Sequence, residues 1–263
     1  MPNYVMNDFL EVPQPNKLNN FIFNDEGEID FNILCPMPEE LKLIDGQSDA
    51  ITQYDFTEAT KYFSYAIQAN NFEEYKSLIK THFNIDIPNV KTQDELFKMH
   101  NNIMKQLEPI LEAYNYTKYG APGWYDWRRN NWGTKWNVCE TSGYSFQTAW
   151  STPIPWLRAL AKKCDFTLLY AEEDLGNNCG IIVAKNRSLF VSNSPVTLES
   201  AIAFSYCVWG YDIEDVNQNP EENEEEHIKY LQENRYILLE EFFRSRGCED
   251  VFKRISKDLM VRF

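Results

Sequence analysis

Histidine is scarce in this chain. There are three, His82, His100 and His227, and none sits in H-x-x-x-H spacing or beside a cysteine cluster, so no metal site is expected. Paired cysteines are missing as well. Cys35, Cys139, Cys164, Cys179, Cys207 and Cys248 are scattered with no C-x-x-C motif. The opening MPNYVMNDFLEVP has neither a basic n-region nor an apolar h-region. Free, mostly buried thiols and a cytoplasmic location are therefore expected. Positive charge is in short supply: 25 Lys and Arg face 40 Asp and Glu, a net of −15. That balance argues against direct binding to a nucleic-acid backbone and against docking on an anionic membrane. No apolar run approaches the roughly 18 residues of a spanning helix. Phosphate-loop, dinucleotide, nucleophile-elbow and zincin motifs are absent, and no cofactor is expected.

What is present is a globular composition. Apolar residues make up 43 % and aromatics 15 % of 263 residues, enough for one large domain or two small ones with a real core. The charge is unevenly placed. Residues 211–234 hold nine acids and one lysine, and residues 235–263 hold five acids and seven bases. More than half of the excess charge thus sits on one 24-residue stretch whose start, rich in Asn and Gln around Pro220, reads as a polar linker. We place a boundary near residue 211. Residues 1–210 form the main domain, with a helical insertion at about 38–118, and residues 211–263 form an acidic linker and C-terminal helices.

Periodicity gives the elements. Residues 3–12 read as a strand ended by Pro13, and residues 15–23 as a short helix. Residues 28–34 alternate Ile29, Phe31 and Ile33 with Asp30 and Asn32, the pattern of a half-buried strand. Residues 53–118 carry helical spacing, including a capping box from Thr92 to Glu95. Residues 134–139 and 144–150 read as strands joined by a turn at Ser142-Gly143. A helix starts after Thr152-Pro153, and strands follow at 166–171, 179–184 and 189–191. Helices close the chain at 198–209, at about 225–246 and around Val251, Ile255 and Leu259. This order predicts an α+β fold: a mixed antiparallel sheet with helices on one face, built on a ferredoxin-like (split βαβ) core.

Several segments, in one order, resemble a known family. They are MPNYVMN at the start, NILCPMPEEL at 32–41, WYDWRRNNWGTKWN at 124–137, FQTAWSTP at 146–153 and YAEEDLGNNCG at 170–180. Together they resemble the ferredoxin-like domain family named after the plasmid protein YubB and an aphid-phage Api protein. The resemblance covers roughly residues 1–210. It implies a ferredoxin-like fold and an origin in phages, prophages or conjugative plasmids, and it brings no catalytic residues with it.

Three places carry candidate chemistry. The first is the tryptophan-rich stretch with Trp124, Asp126, Trp127, Arg128, Arg129, Trp132 and Lys135. Its indoles can stack on a base while Arg and Asn hydrogen-bond it. The same tryptophans can instead anchor the loop, with Trp132 and Trp136 inward, Arg128 and Arg129 outward, and Asp126 capping a helical turn. The second is Glu172, Glu173 and Asp174 at a strand end beside Gly176, a potential acid-base or cation group, or else a solvated turn. The third is the acidic run with Glu222, Glu224, Glu225 and Glu226. It is either a solvated helix start or an electrostatic mimic of a phosphate backbone. The expectation is a non-enzymatic accessory binding protein of a phage or mobile element in the host cytoplasm, engaged in counter-defence. Its partner is either a host protein with a basic groove or a small nucleotide. The alternative is an enzyme acting on a nucleotide or protein through its acidic residues.

Overall fold

The structure, a computed structural model, describes residues 3–41, 72–83, 86, 92, 94–95, 98–102, 113, 115–192, 194–210 and 222–260. The chain divides into two compact units: Met1–Pro36 with Asn131–Phe263, and Met37–Asn130. The sequence reading ends the insertion at 118, whereas this second unit runs to Asn130.

The first unit is built on one six-stranded sheet. Its strands are β1 (Tyr4–Glu11), β2 (Glu140–Ser142), β3 (Ser145–Ala149), β4 (Phe166–Glu172), β5 (Cys179–Lys185) and β6 (Ser188–Ser192). The spatial order is β2-β3-β1-β4-β5-β6, and every ladder is antiparallel. Since β3 opposes both β1 and β2, those two run the same way with β3 between them. Likewise β3 and β4 run the same way with β1 between them. These are the two interlocked split βαβ units of a ferredoxin-like fold. β5 and β6 extend it as a meander on the β4 side. The fold class is therefore α+β and ferredoxin-like, as the element order predicts.

Helices cover both faces of this sheet, where one covered face was expected. On one face α2 (Phe31–Leu34) and α5 (Ile154–Ala161) bring Phe31 and Trp156 onto Phe146, with Phe9 beside Phe146 and Phe166. α1 (Pro15–Ile22) packs beside α2. On the other face α6 (Leu198–Trp209), α7 (Glu222–Ser245) and α8 (Glu249–Met260) share one cluster with Leu169, Ala171 and Ile181. Within it Phe204 stacks on Phe242 at 3.9 Å. The reason lies in β4 and β5, whose runs Phe-Thr-Leu-Leu and Cys-Gly-Ile-Ile are buried without alternation, as strands covered on both faces must be. Arg246, just past α7, ties this layer down: it donates to the carbonyls of Ser192 at 2.9 Å and Cys179 at 3.2 Å.

Two strand readings are corrected. Residues 31–34 form a helical turn, because the Asp30 side chain accepts from the Asn32 N–H and Asn137 Oδ1 accepts from the Phe31 N–H. Residues 134–139 are irregular, and the strand begins only at Glu140.

In the second unit the described elements include a 3-10 turn at Glu39–Leu41, α3 (Phe72–Phe83) and α4 (Trp124–Asn131), whose last residue crosses the division. The expected cap is visible in part, with the Glu95 N–H donating to Thr92 Oγ1. Most of residues 42–114 lies outside the described residues. Here Tyr75 and His100 are buried and hydrogen-bonded at 2.6 Å. Burial pushes the His100 imidazole down to about 4.

Candidate functional site

The tryptophan-rich stretch forms a helix and the irregular segment after it. On α4, helical spacing puts each arginine over an aromatic ring four residues earlier. The Arg128 guanidinium lies 4.8 Å from the Trp124 ring and that of Arg129 lies 5.5 Å from Tyr125. The two arginines differ in setting. Arg129 is exposed, whereas Arg128 is half-buried, its Nε–H donates to Met37 Sδ, and burial lowers its pKa. The expectation that both face outward thus holds for Arg129 and is corrected for Arg128. Trp127 is buried. Asp126 stands in the first turn, where a carboxylate suits the helix dipole.

Trp132 and Lys135 belong to the sheet unit. Trp132 is 1 % exposed, its indole N–H donates to the Cys35 carbonyl at 2.9 Å, and its ring meets Phe31. It is an anchor. Lys135 has a different role. Its ammonium lies 4.9 Å from the Trp136 ring and 5.5 Å from the Trp150 ring, and the two indoles are stacked at 5.6 Å with a 29° tilt. Trp136 is half-buried, short of the fully inward position expected of it.

Trp150 is the residue that sequence reasoning missed. The 144–150 alternation reads it as one more strand position. Instead the chain leaves β3 at Ala149 and Trp150 adopts φ +65°, a left-handed conformation that a bulky residue rarely takes. The surroundings hold it there. Its N–H donates to the Asn3 carbonyl at 2.7 Å, on the neighbouring β1 side. Behind it runs a chain of hydrogen bonds. Asn7 Nδ2 donates to Thr148 Oγ1, the Thr148 hydroxyl to the Ser151 carbonyl, and the Ser151 hydroxyl to the Gly133 carbonyl. The indole nevertheless keeps 47 % of its surface exposed.

The acidic trio is partly drawn to the same end of the sheet. Glu172 closes β4 and opposes Val5, and its carboxylate accepts from Asn3 Nδ2 at 3.1 Å. Asn3 therefore joins the Trp150 backbone to the Glu172 side chain. Glu173 and Asp174 are exposed and part company with Glu172. The Glu173 N–H donates to the Tyr4 carbonyl, while Asp174 accepts from Asn177 within the turn. Among the described residues no group of three or more His, Cys, Asp or Glu is placed to hold a metal ion. The acidic run falls largely outside the described residues. Glu222, Glu224, Glu225 and Glu226 lie at the start of α7, and of their side chains only Glu226 is described, as exposed. Among the described residues no helix is long and apolar enough to cross a membrane.

One comparison with known proteins bears on this segment. Residues 131–203 match the model of a family described as the ferredoxin-like domain in Api92-like protein. That span runs from the end of α4 to the middle of α6 and includes Lys135, Trp136, Trp150 and Glu172. No curated protein and no solved structure matches the chain.

Proposed function

We propose that the chain is a non-enzymatic accessory binding protein of a phage or mobile element. In this reading it acts in counter-defence by sequestering a small nucleotide at the Lys135–Trp136–Trp150 end of the sheet. The observation that carries the reading is Trp150, an aromatic side chain held in a left-handed backbone conformation and still 47 % exposed. Strain of that kind persists where the surroundings over-determine it, and it clusters at ligand sites. The chemistry fits a nucleotide in three respects. An indole shelf offers a stacking surface to any base. The Lys135 ammonium beside both rings supplies a cation for phosphate. The Glu172 carboxylate, reached through Asn3, is an acceptor for an exocyclic amine. The setting in a mobile element and the counter-defence role rest on the resemblance of residues 1–210 to phage and plasmid proteins.

The test is a titration of the full-length chain with purine and pyrimidine mono-, di- and cyclic nucleotides, read by tryptophan fluorescence and calorimetry. Saturable quenching by one class is expected. Trp150→Gly suits the positive φ, so it should melt like the parent and lose that response. A flat response across the whole panel would overturn the reading.

A further inference from the structure

β6 is an outer strand of the sheet, approached by α5, and among the described residues no strand pairs with its outward edge. Its sequence is Ser188-Leu189-Phe190-Val191-Ser192, with no charge, proline or bulge. Those are the devices by which outer strands ordinarily avoid pairing with other chains. Phe190 is 62 % exposed and Val191 38 % exposed. The opposite outer strand, β2, has only three residues and carries Glu140.

The hairpin fixes which backbone groups face outward. Asn186 and Arg187 both have positive φ, the signature of a two-residue type I′ turn. In such a hairpin the flanking pair, Lys185 and Ser188, exchanges hydrogen bonds, and bonded and non-bonded pairs then alternate along the ladder. Ser188, Phe190 and Ser192 therefore spend their N–H and C=O groups on β5. Leu189 and Val191 point theirs outward, and among the described residues those four groups have no hydrogen-bond partner.

We infer that β6 pairs with β6 of a second copy of this chain, antiparallel about a two-fold axis through Phe190. The strand is self-complementary in this register. Ser188 meets Ser192, Leu189 meets Val191, and Phe190 meets Phe190 of the second copy. The Leu189–Val191 pairs are the hydrogen-bonded ones, so all four outward groups of each strand are satisfied. The two Phe190 side chains form the close, non-hydrogen-bonded pair at the centre, on one face of the joined sheet. Registers centred on Leu189 or on Val191 leave one outward residue of each strand without a mate inside the strand. Isologous contacts of this kind close on themselves and stop at a dimer.

On the Phe190 face a groove of about 520 Å³, lined among others by Val183, Phe190 and Val251, separates the edge from α8. The pairing adds one narrow strip per copy, so the dimer is weak and concentration-dependent. Because each copy carries −15, added salt strengthens it by screening their repulsion.

Sedimentation of the full chain over a concentration series tests this. A shift from 31.0 kDa toward twice that mass is expected, larger at high salt. Val191→Pro removes an outward N–H and leaves the β5 ladder intact, so it should stay folded by circular dichroism and remain monomeric. Under mild oxidation Phe190→Cys should form a covalent dimer that the parent, with its six native thiols, does not form. Leu189→Cys should cross-link far less. A monomer at every concentration would overturn the inference, as would a dimer that survives Val191→Pro, or cross-linking at 189 equal to that at 190. Either a nucleotide response or its absence is compatible with all of these outcomes, so the two readings stand or fall separately.

Discussion

The indole N–H of Trp132 donates to the carbonyl of Cys35, 97 positions earlier, at 2.9 Å. This bond, with the ring of Trp132 against Phe31, joins the two chain segments that flank residues 37–130 within the sheet unit. Trp132→Ala is expected to cost about 3–5 kcal/mol in chemical denaturation, as for other buried tryptophans. Trp132→Phe keeps most of the packing and leaves the Cys35 carbonyl unpaired, so it should cost less, about 1–3 kcal/mol. Equal losses from both variants would show that the hydrogen bond dominates.

Gly133 is the next position, and its requirement is backbone shape. It has φ +92°, and a Cβ there would lie 2.5 Å from Pro155 Cδ, a ring atom fixed at the start of α5. Gly133→Ala meets both strain and clash, so it should destabilise by more than the roughly 1 kcal/mol of an ordinary misfit at positive φ. Gly143, also at positive φ, has open space around it. Gly143→Ala is the control and should melt well above Gly133→Ala.

The two arginines of α4 should separate. Arg129→Ala removes an exposed side chain, and the melting temperature should move little, within about 0.5 kcal/mol in stability. Arg128→Ala removes a half-buried side chain that packs on Trp124 and donates to Met37. It should cost roughly 1–2 kcal/mol through lost packing. Equal melting temperatures for the two would contradict this assignment.

Protonation of His100 gives a pH signature. Its folded-state pKa is lowered to about 4 by burial, against about 6.5 when unfolded. Between those values the unfolded chain binds the proton and the folded chain does not. Stability associated with this group is therefore complete above about pH 6.5 and falls as the pH drops toward about 4. Urea midpoints measured down this range should decline, and His100→Asn should flatten the decline. A parent whose midpoint rises on acidification over that interval would contradict it.

Local pattern made much of this fold legible. β1 was readable from its β-branched and aromatic residues and the stop at Pro13, the β5–β6 hairpin from two short strand runs joined by the Asn186-Arg187 turn, and α6 from its apolar spacing. The two misread strands share a cause that no local window contains. Asn137 donates to Asp30 Oδ1 and accepts from the Phe31 N–H, so each segment draws its shape from a partner more than 100 positions away. The candidate site was half legible. Lys135 and Glu172 stood out by type. Trp150 did not, because its left-handed turn is imposed by Asn3 and by the Thr148–Ser151–Gly133 hydrogen bonds.

The placement of β1 has a consequence for synthesis on the ribosome. β1 emerges before its two ladder partners, β3 and β4, and Val5 finally lies between Thr148 and Glu172. The strand must wait unpaired through the making of some 140 further residues, because closing so long a loop yields nothing until β3 arrives. Val5, Phe9 and the rest of its apolar side chains stay without their strand partners in that interval, a window in which a chaperone holding the nascent strand would raise the yield of folded chain. A circularly permuted chain that begins at Asn131 and carries residues 1–130 at its far end would bring β1 out after both of its neighbours already exist. Its folding would depend less on such help.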